Sequence, residues 1–222
     1  MRLSVIIPPL NEHANIERAI RQVRSAHEVI VVDGGSTDAT IAMAQAAGTK
    51  VISAQPNRGG QQNAGAAAAS GDTLLFLHAD TILSEDYEAE IASALDKPNV
   101  SAGAFRFELD GRGFGMWLVE KVVAIRCRLC QLPYGDQALF VRRDTFLSIG
   151  GFPEAPIMED YILVQRLKKI GRIEIVETPA ITSARRWRKL GVLRTTWSNQ
   201  VCIIAYKLNV APERIARWRS AF

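Results

Sequence analysis

Short runs of continuous apolar residues alternate with amphipathic segments through the first eighty residues, and this alternation constrains the fold more than any other feature. Leu3–Ile7 is a β-branched run closed by Pro8 and Pro9. Residues 12–25 then carry Ile16, Ala19, Ile20 and Val23 at helical spacing, with Asn11 placed as the N-cap. Residues 28–32 form a second apolar run ending at Asp33, and a helix is expected over 36–47, closed by Gly48. A third strand (51–53), a helix (58–70) closed by Gly71, and a fourth strand (73–77) running into His78-Ala79-Asp80 complete the pattern. Apolar strands joined by amphipathic helices predict an α/β fold whose mostly parallel sheet is covered on both faces. The second half is less regular. It reads as a strand over Val100–Leu109, a helix over 113–130, a strand over 138–142, a helix over 159–170, a strand over 172–176 and a basic helical segment from Leu190.

At 222 residues, 48% apolar and 23% charged, the chain suits one ordinary globular domain with no internal repeat and no dividing linker. The net charge of +4 is unevenly spread. Arg185, Arg186, Arg188, Lys189 and Arg194 cluster, and Arg214, Arg217 and Arg219 follow near the end. No nucleic-acid reading motif accompanies these cations, so a phosphorylated ligand or an anionic lipid is the better partner. The three cysteines do not make a disulfide framework. Cys127 and Cys130 read as a helical i, i+3 pair of small apolar residues, which fits a reducing compartment such as the cytoplasm. No uninterrupted apolar stretch reaches the length of a membrane span, but residues 114–132 and 192–210 combine apolar faces with Lys and Arg. Such helices pack on the core or on a second subunit, as in a homodimer, or rest peripherally on the cytoplasmic face of a membrane.

In open α/β sheets ligands bind beyond the carboxyl ends of the strands. Three strand ends carry polar or acidic residues here: Pro8-Pro9-Leu10-Asn11-Glu12, Asp33-Gly34-Gly35-Ser36 and His78-Ala79-Asp80. The loop after the first strand lacks the glycines of a dinucleotide fingerprint, and no phosphate-loop motif is present. By position, Asp33 suits hydrogen bonding to a base or ribose, and Asp80 suits a divalent cation bridging a diphosphate.

With these residues in hand, the chain resembles the family-2 glycosyltransferases, in particular a small subgroup carrying Leu77-His78-Ala79-Asp80-Thr81. The matching stretches, in order, are SVIIPPLNE (4–12), VIVVDGGSTDAT (29–40), NRGGQQNAG (57–65), ASGDTLLFLHADT (69–81), GGF (150–152) and Glu159-Asp160. The resemblance implies a GT-A fold: a Rossmann-like, mostly parallel sheet with a nucleotide-sugar half (1–110), and an acceptor half (111–222) ending in basic helices. It implies transfer of a sugar from a nucleoside-diphosphate donor, UDP-linked by preference, to an acceptor hydroxyl with inversion. A lipid or carotenoid-like acceptor is one option. It places Pro8, Leu10, Glu12, Asp33, Arg58 and Asn63 around the donor, with Asp136 and Gln137 orienting sugar or acceptor. Arg185, Arg186 and Trp187 resemble a diphosphate clamp and stacking site; a solvated basic face is the plainer alternative.

The family's paired-aspartate metal motif falls on His78-Ala79-Asp80, where histidine replaces the first aspartate. Asp80 then holds Mn²⁺ or Mg²⁺, while His78 either joins it, which favours manganese, or touches ribose or diphosphate. Asp160 matches the family's general base and Glu159 is the reserve, against the plain role of acids in a first helical turn. The competing readings are a catalytically degenerate nucleotide-sugar-binding protein and a nucleotidyltransferase.

Overall fold

The computed structural model describes residues 1–220. Four parallel strands, β1 (Leu3–Ile7), β2 (Glu28–Asp33), β3 (Lys50–Ser53) and β4 (Thr73–Phe76), build one side of an eight-stranded sheet. The other strands are β5 (Thr81–Ile82), β6 (Val100–Leu109), β7 (Phe140–Arg142) and β8 (Arg172–Thr182), and the order is β3-β2-β1-β4-β7-β6-β8-β5. β7 runs antiparallel to both neighbours and β5 antiparallel to β8, while β6 and β8 are parallel.

Alternation along each strand explains the two cores. In β1, Leu3, Val5 and Ile7 point to one face and pack with α1 (Ile16–Arg21), α2 (Thr40–Ala46) and α4 (Tyr87–Leu95). Ile6 points the other way, with Ile30, Val32, Leu74 and Phe76, toward α3 (Arg58–Ala68) and α7 (Glu159–Leu167). A glycine is needed where α3 crosses β1: a Cβ on Gly65 would lie 2.5 Å from Ile6 Cγ2. A third, smaller cluster joins Phe107 and Leu109 of β6 to Val119, Val123 and Cys127 of α5 (Phe114–Cys130). α6 (Arg143–Ser148) follows β7, and α8 (Arg185–Leu190), α9 (Val192–Lys207) and α10 (Pro212–Ser220) close the described chain.

Two helix starts differ from expectation, for one reason. Asp33 Oδ2 accepts from the backbone N–H groups of Gly35 and Ser36, both at 2.8 Å, and Asp38 Oδ1 accepts from Thr40 N at 2.9 Å. The 34–39 stretch is thereby held as a loop, and α2 begins at Thr40 rather than Ser36. Asn11 does not cap α1. It adopts φ +55, and its side-chain oxygen accepts from Thr37 N at 2.8 Å, so it clips the first loop to the second; Asn15 precedes the helix instead. The short elements α4, α6 and β5 were not expected from the sequence, and β8 extends six residues past its expected end at Val176. Cys127 and Cys130 both lie in α5 and are free thiols, one buried and one exposed. Among the described residues no helix is long and apolar enough to cross a membrane.

Candidate active site

A cleft of about 770 Å³ opens where the carboxyl ends of β1 and β4, the amino ends of α3 and α7, and the helices after β8 meet. Its wall includes Pro8, Leu10, Glu12, Arg58, His78, Asp80, Asp136, Glu159, Asp160, Arg185, Arg186 and Trp187. These residues come from positions as far apart as 8 and 187, so the fold converges what the sequence scatters.

On the β1–β4 side, Glu12 Oε1 accepts from Arg185 Nη2 at 2.7 Å, and Arg185 also lies 3.8 Å from Asp80. Glu12 is further fixed by Asn15 Nδ2 at 2.7 Å. Burial, and then the charge of Glu12, push the Asp80 carboxyl above its ordinary range, against the pull of Arg185 and Arg58. A carboxylate that burial and a like-charged neighbour disfavour is a place where added positive charge is stabilising. Among the described residues no group of three or more His, Cys, Asp or Glu converges as a metal cage. Asp80, with Glu12 beside it, therefore fits a cation carried in on a diphosphate, since Mg²⁺-type sites take one or two carboxylates plus phosphate oxygens and water.

His78 belongs to a different cluster. Its Nε2 is buried without a hydrogen-bond partner, next to Gly135, where an added Cβ would stand 3.2 Å from it. Asp160 Oδ2 accepts from Gly135 N at 2.9 Å, so the imidazole and this carboxylate share one glycine between them. Burial, helped by the Arg58 charge, holds the imidazole down at about 3, so it is neutral at pH 7. Asp136, in the 3₁₀ turn Gly135–Gln137, is pushed up to about 6 by burial and by Asp160, against the pull of Arg126 and Arg58. Glu159, buried at the start of α7, is also raised, first by burial and then by Asp160. Asp160 itself is locked in orientation by Gly135 N and by Tyr161 N at 2.7 Å.

Near the carboxylates stand Arg58, Arg186 and Arg219, all on the cleft wall and without an ion pair or hydrogen bond among the described residues. Burial, then the charges of Arg219 and Arg58, lower the Arg186 guanidinium from its ordinary range. Three cations that disfavour one another around an open cleft are configured for an anion. Unsatisfied polar atoms gather here too: Asp136 Oδ1, His78 Nε2, Tyr134 Oη and Trp187 Nε1 are buried without partners. Such groups are rare in a folded chain and are met by ligand or water. Backbone strain points to the same place. Met158 (φ +70), on the cleft wall just before Glu159, and Ala138 (φ +48), just after the Gly135–Gln137 turn, are left-handed without being glycine, each at a cost of about 1–2 kcal/mol.

Three expected residues do not line the cleft. Asn63 exchanges two hydrogen bonds of 2.9 Å with the backbone of Phe152 and pins α3 to the loop before α7. Gln137 is fully buried; its amide donates to Phe105 O at 3.0 Å, and its oxygen accepts from Arg126 and from Tyr134 N. Asp33 is 1% exposed with Oδ2 spent on the loop, but its Oδ1 is buried and unpaired. Trp187 lines the cleft while its ring tilts against Phe107 at 6.0 Å, so it is a packed wall rather than a free stacking platform. The sequence reading missed Gln61, Tyr134, Asn199 and Arg219. Gln61 and Tyr134 sit within or beside motifs already singled out, and Arg219 is in the basic tail; Asn199 carries no signal of its own.

Comparison with known proteins gives the family. The profile described as glycosyl transferase family 2 matches residues 4–151, which is 148 of 222. An uncharacterized glycosyltransferase of Rickettsia bellii is 41% identical over 93 residues, 40% of this chain and 31% of that protein. Glucosyl-3-phosphoglycerate synthase of Mycobacterium tuberculosis is 38% identical over 94 residues, 36% of this chain and 29% of its own length. The chain thus spans about a third of the length of the curated relatives it matches. The crystal structure of that synthase with Mn²⁺ and uridine-diphosphate-glucose superposes with a TM-score of 0.66 at 25% identity, covering 90% of this chain and 77% of that one. With the family profile over two thirds of the sequence and the GT-A architecture of the sheet, the chain belongs to glycosyl transferase family 2.

Proposed function

We propose that this protein transfers a sugar from a nucleoside-diphosphate donor, UDP-linked by preference, to an acceptor hydroxyl with inversion at the anomeric carbon. One observation carries the reading: a single cleft gathers the carboxylates of Asp136, Glu159 and Asp160 with the guanidinium groups of Arg58, Arg186 and Arg219, which form no ion pair of their own among the described residues. Donor chemistry needs both, a base on one side and charge for the departing diphosphate on the other. The synthase crystallised with Mn²⁺ and uridine-diphosphate-glucose supports the choice of UDP and of a divalent cation.

Pro8 and Leu10 wall the donor and Asp80 and Glu12 face the diphosphate, while Asp33, behind the cleft wall, holds the loop at 34–39 that borders the donor. A divalent cation, manganese or magnesium, would be held by Asp80 and phosphate oxygens, where it neutralises charge on the leaving nucleotide. Arg58 and Arg186 add fixed positive charge with a planar fork suited to phosphate. Asp160 takes the proton of the acceptor hydroxyl as its oxygen attacks, in a single displacement without a covalent intermediate. The neutral imidazole of His78 and the carboxyl of Asp136 flank that carboxylate and bind the sugar hydroxyls. Asn63 and Gln137 act indirectly, by holding the backbone on which the cleft is built.

The test is thermal stability with UDP, GDP and their sugar conjugates, with and without Mn²⁺, followed by slow donor hydrolysis. Stabilisation by UDP that grows with Mn²⁺, together with released UDP, is the expected result. Stabilisation without any hydrolysis or transfer would make the protein a nucleotide-sugar binder, and no shift with any nucleotide would overturn the reading.

A further inference from the structure

Two helices of the second half carry apolar residues on both sides. On α5 the inner face (Val119, Val123 and Cys127) packs on β6, while Phe114 (77% exposed), Leu118, Val122, Ile125 and Leu129 (76%) form a stripe on the opposite face. On α9 the pattern repeats: Asn199, Cys202 and Ile203 line the cleft, and Leu193 (86%), Trp197 (69%), Ile204 and, just past the helix end, Leu208 (73%) stand open on the other side. The α5 stripe follows i, i+4 and i, i+3 spacing without a break, and the α9 residues keep to one side at spacings of four, seven and four. The helices touch where a Cβ on Gly115 would lie 3.1 Å from Val192. Ten large side chains, Trp117 included, stand open on these two helices, and apolar residues exposed in such a group mark an interaction surface.

The charge around them is of one sign. No Asp or Glu occurs from residue 178 to 212; of the cations in that span Arg185 and Arg188 pair with Glu12 and Asp110 and Arg186 lines the cleft, which leaves Lys189, Arg194 and Lys207 along the face. On α5 the one acid, Glu120, is turned inward to accept from Leu109 N at 2.9 Å, which leaves Lys121 and Arg128 along the border of the stripe. A second copy of the chain seated on this face would set lysine and arginine against lysine and arginine, an arrangement that costs affinity. An anionic bilayer meets both features together, taking the apolar stripe below its headgroups and the cations among them.

We propose that the α5–α9 face docks this protein on an anionic lipid surface, with α9 lying between the bilayer and the cleft that its inner side lines. The claim rests on binding rather than turnover, so it stands or falls separately from the catalytic reading. It is tested by co-sedimentation with phosphatidylcholine vesicles prepared with and without phosphatidylglycerol, at low and high salt, using the wild type, Leu193→Glu/Trp197→Glu, and Arg194→Gln/Lys207→Gln. The wild type is expected to bind vesicles containing phosphatidylglycerol, more weakly at high salt. The acidic double variant should lose at least about tenfold in affinity and the glutamine variant severalfold, with thermal midpoints and UDP stabilisation unchanged. Absence of wild-type binding to either vesicle, or binding that neither variant weakens, would overturn the proposal. So would a concentration-dependent dimer abolished by Leu193→Glu/Trp197→Glu, which would give the face to a second copy.

Discussion

The two halves of the molecule contribute to the cleft by different means. In the first half, repeated strand–helix units bring Glu12 and Asp80 to one sheet edge simply because parallel strands all end there. In the second half no such repeat exists. Asp136, Asp160 and Arg186 arrive from a 3₁₀ turn, a helix start behind a left-handed Met158, and a helix after the long β8. In the proposed reading the regular half supplies Glu12, Asp80 and Arg58, and the irregular half supplies the base, set behind the left-handed Met158, together with Arg186 and Arg219. The largest effects of substitution on turnover should therefore come from the second half, and the largest on stability from the first.

Asp160→Asn gives the sharpest contrast. Turnover should fall by about 10²–10⁴-fold, the usual contribution of a positioned base, with UDP binding and thermal midpoint close to wild type. Glu159→Gln should cost much less. A larger loss for Glu159→Gln than for Asp160→Asn, measured as single-turnover transfer, would move the base one residue along α7.

The first half should answer in stability. Gly65→Ala places a methyl group 2.5 Å from Ile6 Cγ2, between α3 and β1, and is expected to cost about 1–3 kcal/mol in urea unfolding. An unchanged midpoint would mean that α3 is free to shift off the sheet, and with it Arg58 at its first turn.

The same contrast governs how much could be read in advance. β1, β2 and β4 and their loop residues were legible because apolar runs and strand ends obey local rules, and β6 was legible as one unbroken run, Val100–Leu109. β8 was read only to Val176, because the following Glu177-Thr178-Pro179 looks like a stop. In the structure it is a register irregularity, in which Phe105 pairs with Val176 and Arg106 with Pro179, and the strand resumes beyond it. Asn63 was placed near the ligand because it lies inside a matching motif, and Gln137 because it lies just before the strand expected over 138–142. Nothing in a motif distinguishes a side chain that faces the cleft from one that ties down the backbone behind it. Arg219 was visible as part of a basic tail, but its convergence with Arg58 and Arg186 depends on how α10 returns to the cleft, a long-range contact without local signature.

The arginines offer a third, smaller test that joins the halves. Arg186→Ala and Arg219→Ala should each weaken UDP about tenfold by titration calorimetry, and the salt dependence of binding should flatten in both. If only Arg58→Ala weakens UDP, the diphosphate is held by the first half alone, and the second-half cations serve the acceptor instead.

The smallest effect expected is also the one whose sign is most specific. The Asp136 carboxyl is raised to about 6 by burial and by Asp160, so the folded protein takes up this proton more readily than the unfolded chain, whose carboxyl titrates near its ordinary value of 3.8. Below the ordinary value both states are protonated and the group is neutral in its effect. As pH rises through the window to about 6, the unfolded chain releases the proton first and folding is progressively penalised, with the full penalty present above pH 6. Asp136→Asn should therefore leave stability unchanged near pH 3.5 and raise it at pH 7.5, by about 1–2 kcal/mol in denaturant titrations at the two pH values. A variant destabilised at pH 7.5 would mean that the Asp136 charge is held by Arg126 and Arg58 strongly enough to outweigh its burial. That part of the cleft would then be balanced in charge before any ligand arrives, as the Glu12–Arg185 pair, which joins the two halves, already is.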